Sequence, residues 1–455
     1  MSNYKNNKYL VVGLGVTGFS VVEYLLAQQA MVTVTDTRVE PPHLSLLKTK
    51  FAILEVFLGG IVVPADTTHI ILSPGLTLET PEIQAAIARG VVVLGDIELF
   101  AQVVDKPVLA VTGSNGKSTV ATLLGVMAQV SGISAGVGGN LGTPALALLD
   151  PKHDCYILEL SSFQLETLNS LKSKVVTILN VSPDHMDRYE DLNSYQQAKQ
   201  RIYLGAEYAV INRQDFLTTV PDGLTARTIS FGLDTAADQH YGLLQHQDAL
   251  WLAKGTTPLL PARQMAMLGE HNIANALAAL AMGEIAGFNL TAMLDVLRSF
   301  TGLEHRCEQI ITAQNVVWVN DSKGTNVAAT VAAIEGLSKS ISGKWVIILG
   351  GIGKNADFEP LLAPLIKHCK AAILIGTVAP HLWGLLYREL PCYNAQDLVE
   401  VVDLAMQHTA AGDGVLFSPA CASFDMFDNY MHRGELFKQQ VLQRIDAHEA
   451  KSATN

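Results

Sequence analysis

Short apolar runs alternate with longer stretches of helical period along most of the chain, a pattern that predicts βαβ units and parallel sheets. Three such blocks can be traced. The first has strand-like runs at 9–12, 31–35, 68–72 and 91–94, with a helix over about 17–29 behind the first glycine turn. The second has strands at 108–111, 155–160 and 175–179 and a helix starting at Lys117. Between about 207 and 265 the helical period fades into β-prone segments such as 228–231 and 249–252, which predict a small accessory sheet, and a long Ala/Leu-rich helix follows over about 272–286. The third block has strands at 316–319, 345–349, 371–375 and 415–418. The expected fold is therefore α/β, with three domains of mostly parallel sheet over 1–97, 98–303 and 304–455.

A hydrophobic fraction of 49% against 16% charged residues supplies ample core and excludes a mostly disordered chain. The net charge of −12 leaves no general basic field for nucleic acid or an anionic membrane, so an anionic ligand must be met by a few placed cations and backbone N–H groups. The five cysteines are scattered without a C-x-x-C pair, which fits a reducing compartment better than a disulfide framework or zinc site. Glycines, Thr17 and Ser20 interrupt the apolar run that opens at Leu10, and no window is long enough to cross a membrane. A cytoplasmic location is expected.

Three glycine-rich turns carry the candidate chemistry. Gly13-Leu14-Gly15-Val16-Thr17-Gly18 lies between a strand and a helix, and Asp36 ends the next strand near the spacing of a ribose-binding acid. Such a turn lets backbone N–H groups approach a diphosphate, of a dinucleotide cofactor or of another nucleoside diphosphate; it also occurs as a bare strand–helix turn. The second turn, Thr112-Gly113-Ser114-Asn115-Gly116-Lys117-Ser118-Thr119, has Val111 where the usual phosphate loop has its first glycine. It keeps the nest of N–H groups, Lys117 for the β- and γ-phosphates and Ser118 for Mg²⁺, and reads as an ATP site. Glu159 and His185 follow later strands and would emerge at the same sheet edge, where they could hold a metal that bridges phosphate oxygens; a histidine in such a place is also commonly structural. In the third block Lys323 and Lys354 follow strand ends and could clamp an acidic substrate or simply be solvated.

Together, TGSNGKST (112–119), LELSSFQLE (158–166), NVSPDHMDRY (180–189), GEHNIANALAA (269–279), NDSKGTNVAAT (320–330), GGIGK (350–354) and SPACASFDMF (418–427) resemble the Mur ligase family over essentially the whole chain. Asp36-Thr37-Arg38 and the last three segments narrow the resemblance to its D-glutamate-adding branch. The resemblance implies a Rossmann-like first domain for a UDP-linked substrate, a central P-loop ATPase-like domain and a Rossmann-like C-terminal domain for the amino acid. It implies that ATP activates the carboxylate of UDP-N-acetylmuramoyl-L-alanine as an acyl phosphate, which D-glutamate then attacks.

Position by position, the resemblance puts Gly15, Val16, Thr17, Asp36, Thr37, Arg38, Gly75 and Asn140 on the UDP-linked substrate. Gly113, Ser114, Asn115, Gly116, Lys117, Ser118, Thr119, Asn275, Arg306 and Asp321 fall on ATP, with Asp321 at its ribose. Ser118, Glu159, His185 and a carbamylated Lys199 would hold two Mg²⁺ ions. Lys117, Glu159, His185 and Lys199 form the catalytic set; His185, Lys323, Thr325, Lys354, Ser423 and Tyr430 meet D-glutamate. Tyr430 stands where phenylalanine is expected, and the loop after Tyr189 is shorter and more acidic than the family form, so Lys199 is placed from the segment around it. A surface helix lysine is the ordinary alternative there. Cys421 reads as a buried spectator near the amino-acid site, and a monomer is expected. Three other functions share parts of this pattern. An NAD-dependent oxidoreductase would use the first turn but leave the ATP loop idle. A folylpolyglutamate synthase-like ligase would share the ATP machinery but lack the UDP-binding block. A non-enzymatic ATP-binding regulator would need neither substrate.

Overall fold

The computed structural model describes residues 4–186, 188–338, 340–353 and 356–452. Asp187 and, of the expected site residues, Lys354 lie outside them. Among the described residues the strands form three sheets, of five, nine and six strands. The α/β reading with three mostly parallel sheets holds.

The first sheet contains β1 (Lys8–Val12), β2 (Met31–Asp36), β3 (Glu55–Leu58), β4 (His69–Leu72) and β5 (Val92–Leu94). Their order is β3-β2-β1-β4-β5, parallel throughout. Side-chain alternation divides the apolar strands between two faces. Val11, Val34 and Ile71 pack with Val21 and Leu25, whereas Leu10, Val12, Ile70 and Leu72 pack with Ile83 and Ala86. Burial on both faces explains why these strands read as continuous apolar runs.

The second sheet contains β6 (Val108–Thr112), β7 (Ala135–Gly139), β8 (Cys155–Glu159), β9 (Val175–Ile178), β10 (Tyr208–Asn212), β11 (Arg227–Phe231), β12 (Tyr241–His246), β13 (Ala249–Lys254) and β14 (Thr257–Pro261). Its order is β14-β13-β12-β11-β10-β9-β6-β8-β7. The expected separate accessory sheet is therefore corrected. β10 pairs in parallel with β9 and continues the central sheet, because the open backbone groups of β9 are completed by the next strand. Only the outer β12-β13-β14 meander is antiparallel, and it joins β11 through the single pair Phe231–Tyr241. Behind the sheet, Ala276 to Met282 of the helix Glu270–Ile285 are buried in one cluster with Val120, Leu124 and Met127 of the helix Lys117–Val130.

The third sheet contains β15 (Glu308–Ala313), β16 (Val316–Asn320), β17 (Trp345–Gly350), β18 (Cys369–Ile375), β19 (Cys392–Asn394) and β20 (Gly414–Phe417), in the order β15-β16-β20-β17-β18-β19. All its pairs are parallel except β15–β16. β20 lies between β16 and β17, so the loops after these three strands open at one carboxyl edge, where open α/β sheets bind ligands.

The helix Asp96–Ala101 fastens the first sheet to the second. Glu98, almost fully buried, accepts hydrogen bonds from Asn169 N (2.7 Å), Ser170 N (2.9 Å) and Ser170 Oγ (2.6 Å). Asp96 Oδ2 accepts one from Gln164 Nε2 at 3.1 Å. Replacing Glu98 by Ala strips these donors of their acceptor inside the protein and should cost about 1–3 kcal/mol. A thermal midpoint equal to wild type in the Glu98→Ala protein would show that this bolt carries no load.

Candidate active site between the central and C-terminal sheets

β6 is wholly buried and delivers its chain into the turn at 113–116, where Gly113 (φ +152°) and Gly116 (φ +84°) adopt backbone conformations that favour glycine. Ser114 N donates to Asn180 O at 2.9 Å and Asn115 N to Asn180 Oδ1 at 2.8 Å, so the loop after β9 braces the turn. Helix Lys117–Val130 starts on Gly116 without a side-chain cap, which leaves its first N–H donors facing the turn. Lys117 Nζ donates to Gly113 O (2.9 Å) and Ser114 O (3.0 Å). Ser118 and Thr119 are buried in the first helical turn. Asn275 stands against the loop: a Cβ on Gly116 would lie 2.6 Å from its Oδ1. Arg306, on the segment leading to the third sheet, donates from Nη2 to Ser118 Oγ at 2.7 Å.

Beside the loop, Glu159 ends β8 and is only 3% exposed. Its Oε1 accepts from Asn140 Nδ2 at 2.8 Å, while its buried Oε2 has no hydrogen-bond partner among the described residues. Lys199 lies on the helix Leu192–Gln200 and is 1% exposed, far from an ordinary surface lysine. Its Nζ donates to Gly113 O at 2.9 Å and sits 4.4 Å from the Tyr195 ring centre. Burial first, then the Lys117 charge, hold the Lys199 amine well below the usual lysine range, against the opposing pull of Asp184 and Glu159. Lys117 is lowered as well, by burial and secondarily by Arg306, with Glu159 and Asp184 opposing. His185 has φ +57°, and its half-exposed ring packs 4.8 Å from Phe163.

From the third sheet, Lys323 places Nζ 4.1 Å from the Tyr430 ring centre. The tyrosine ring therefore packs against Lys323. Burial and then the charges of Arg306 and Lys117 push Lys323 down to about 8. That Lys323 feels Lys117, Glu159 and Asp184 shows that the two sheet edges face one another. Asn326 Nδ2 spans them to Asp184 Oδ2 at 3.3 Å. Thr325 is half-buried beside Lys323, with its N donating to Lys323 O at 2.7 Å. Ser423 is buried after the Ile352–Ala422 bridge, which ties the loops following β17 and β20 together.

Asp321, expected at the ATP ribose, lies in the loop directly after β16. Its Oδ2 accepts from Ser418 Oγ (2.6 Å) and its Oδ1 from Cys307 N (3.1 Å), so it links the loops after β16 and β20 from inside. Burial raises its carboxyl to about 6. Cys421 is a buried thiol raised to about 12, chiefly by burial, in keeping with a spectator. The sequence reading passed over Asn180, Asp184, Tyr195 and Asn326 as site residues. The first two lie within NVSPDHMDRY and Asn326 within NDSKGTN, but their bracing contacts come only from the assembled fold.

The first glycine turn belongs to the first sheet, between β1 and the helix Val16–Ala27. Of its three glycines two are packed: a Cβ on Gly13 would lie 2.7 Å from Ser73 Cβ, and one on Gly18 1.8 Å from Gly13 O. Gly15 meets nothing within 4 Å and precedes the helix Val16–Ala27, so it offers open backbone to a ligand. Val16 is 56% exposed; Thr17 is partly and Thr37, Arg38 and Gly75 are openly accessible beside it. Asp36, expected beside the UDP-linked substrate, ends β2 under the turn. It is 1% exposed and accepts from Leu14 N (2.7 Å), Arg38 N (2.8 Å), Arg38 Nε (2.9 Å) and Arg38 Nη2 (2.8 Å). Its oxygens are consumed in shaping the turn and presenting Arg38.

Comparison with known proteins settles what kind of molecule this is. Residues 7–95 match the Mur ligase MurD-like N-terminal domain, 111–283 the Mur ligase middle domain and 305–421 the Mur ligase glutamate ligase domain. A UDP-N-acetylmuramoylalanine–D-glutamate ligase of Marinobacter nauticus is 46% identical over 96% of this chain and 98% of its own. The chain belongs to the Mur ligase family. A ligase of the same name from Pseudomonas syringae pv. syringae is 48% identical over 95% of this chain and 97% of its own. The fold of this Mur ligase is also that of MurC, a UDP-N-acetylmuramate-alanine ligase of Thermotoga maritima (TM-score 0.60, 18% identity, 97% and 99% of the two chains). MurF of Acinetobacter baumannii is similar in fold as well (TM-score 0.61, 19% identity, 97% and 92%). Among the described residues no helix is long and apolar enough to cross a membrane.

The Asp36 network makes a pH prediction. Burial works to raise this carboxyl, but the Arg38 side chain and the Leu14 and Arg38 N–H groups outweigh it and hold it at about 2. The folded value lies below the unfolded one of about 3.9, so the stabilisation is present above pH ~4 and lost as pH falls toward about 2. Unfolding free energies of wild type and Asp36→Asn should differ by a constant amount near neutrality and converge over that acid window. A difference independent of pH would remove the carboxylate charge from the account.

Proposed function

We propose that this Mur ligase joins D-glutamate to the carboxylate of UDP-N-acetylmuramoyl-L-alanine, with ATP converted to ADP and phosphate. The observation that carries the reading is the convergence of Lys117, Lys199, Arg306 and Lys323 on Glu159 and Asp184 where the two sheet edges meet. Such a cluster suits a reaction with anions on every side: a triphosphate, a carboxylate acceptor and an acidic amine. The names of the relatives support the choice of substrates, and the open Gly15 turn suits a UDP diphosphate.

A carboxylate cannot be displaced by an amine until one of its oxygens becomes a good leaving group. The phosphate loop and Lys117 hold the triphosphate, and Arg306 and Ser118 lie at its γ end. The acceptor carboxylate attacks the γ-phosphorus and ADP departs, leaving an acyl phosphate. Lys323, Thr325 and Ser423, with Tyr430 backing Lys323, orient D-glutamate by its carboxylates. Its amine attacks the acyl carbon, the amine proton is lost, and the tetrahedral intermediate expels phosphate. Closure between the two sheets keeps water from the acyl phosphate.

The residues present fit Mg²⁺. Among the described residues no group of three or more His, Cys, Asp or Glu forms a ready cage, and Mg²⁺ commonly takes only one or two carboxylates plus phosphate and water. The unpartnered Oε2 of Glu159 and the hydroxyl of Ser118 would hold one ion; His185 and a carbamylated Lys199 would hold a second. When bound, the ions neutralise charge on the phosphate oxygens. Lys199 suits carbamylation because its buried amine is held well below the ordinary lysine range. The neutral nitrogen bonds to the carbon of CO₂, loses a proton, and becomes an anion in place of a cation.

The test is phosphate release measured with ATP, the UDP-linked acceptor and D- or L-glutamate, each omitted in turn. Release should require all three and the D isomer, and equal turnover with L-glutamate would defeat the assignment. Lys117→Ala should fold but lose at least about 10²–10³-fold in turnover; wild-type turnover in that variant would remove Lys117 from phosphoryl transfer. After incubation with isotope-labelled bicarbonate, a carbamate carbon should be seen by NMR in wild type and be missing from Lys199→Ala. A bare amine in active, metal-loaded enzyme would contradict the carbamate.

A further inference from the structure

Arg188 occupies the loop between β9 and the helix that carries Lys199, three residues beyond His185. Its side chain leaves the central domain. Nη1 donates to Pro74 O at 2.8 Å and Nη2 to Leu76 O at 3.0 Å, both on the turn of the first domain that exposes Gly75. The same Nη2 pairs with Glu166 Oε2 at 2.6 Å, and both side chains are largely buried. The guanidinium carbon stands 4.1 Å from the centre of the Phe163 ring, which packs against His185. Tyr189 closes the set by donating its hydroxyl to Glu166 Oε1 at 2.6 Å.

Each contact has a separate consequence. Phe163 and Glu166 lie on the short helix Ser162–Glu166 that directly follows Glu159 and Leu160. The backbone at Arg188 folds back on His185, with Arg188 N and Tyr189 N donating to His185 O at 2.9 and 3.1 Å. On the far side, Leu76 N donates to Ser73 O at 3.0 Å, and Ser73 abuts Gly13 of the glycine turn. One planar fork therefore touches the turn beside the open Gly15, the ring under His185 and the helix behind Glu159. None of the atoms it bonds belongs to a catalytic side chain.

We infer that Arg188 is a positioning residue that fixes the spacing between the 73–76 turn and His185, so that an acceptor seated on the first domain presents its carboxylate to the γ-phosphate. This rests on the proposed function for the identity of the acceptor, but the strut itself does not. The geometry requires arginine. A lysine can keep the pair with Glu166, but its compact ammonium cannot bond the carbonyls of both Pro74 and Leu76 and stack on Phe163 in one plane. Misplacing an acceptor by about 1 Å can cost up to ~10²-fold in rate.

The test compares Arg188→Lys and Glu166→Gln with wild type in the full-length protein. Hydrogen exchange at the Leu76 amide should quicken by about tenfold in Arg188→Lys and less in Glu166→Gln, with amides of the helix Lys117–Val130 unchanged. The KM for the UDP-linked acceptor should rise by about tenfold and kcat should fall, while the KM for ATP stays within about twofold. A merely structural role would weaken both substrates alike. Unchanged Leu76 exchange in both variants, or a parallel rise in the KM for ATP, would overturn the inference. A wild-type protein inert toward D-glutamate would overturn the functional reading, and Leu76 exchange would then decide the role of Arg188 by itself.

Discussion

Crowding of like charge organises this molecule. Lys117, Lys199, Arg306 and Lys323 stand close enough to perturb one another, with Glu159 and Asp184 as the carboxylates set against them. In a partly dry interior such repulsion is much stronger than in water. Burial first, and this repulsion second, hold the lysines below their ordinary range, and Lys117 and Lys199 both turn onto the carbonyl oxygen of Gly113. A polyanion bound there would relieve the repulsion. Burial and this crowding together hold the Lys199 amine well below the usual lysine range.

The fold produces this crowding from simple parts. Parallel strands direct their following loops to one carboxyl edge, so Gly113, Glu159 and His185 collect at the end of the central sheet without being near in sequence. The third sheet repeats the device with β20 between β16 and β17, and Arg306 and Asn326 reach across to the first set. The first domain is bolted to the central one through Glu98 and Arg188.

What could be read from sequence was mostly what is local. Lys117 and Ser118 follow a buried strand and a glycine turn within a dozen residues, and Glu159 ends the adjacent strand, so strand–loop–helix logic suffices. Asp36 and Asp321 show where that logic stops. Spacing and family likeness put both at strand ends beside a ligand, yet only the tertiary structure reveals that Arg38 and Leu14 occupy the first and Ser418 and Cys307 the second. β7 escaped notice because Ala-Gly-Val-Gly-Gly lacks apolar bulk; its glycines are needed where a Cβ on Gly139 would come 2.5 Å from Glu159 O. β3 is a half-exposed edge strand, and β10 to β14 carry β propensity without any sign of which sheet they extend. Arg188 and Asp184 sit in a motif that was noticed, but their partners lie far away in the chain.

The most direct test of the charge-crowding account is calorimetric titration of the protein with Mg²⁺-ATP near pH 8, repeated in buffers of different ionisation enthalpy. A triphosphate brought among these lysines should raise their proton affinity, and Lys323, held at about 8, is poised to respond. The account predicts binding with net proton uptake. Absence of binding, or binding with proton release, would contradict it.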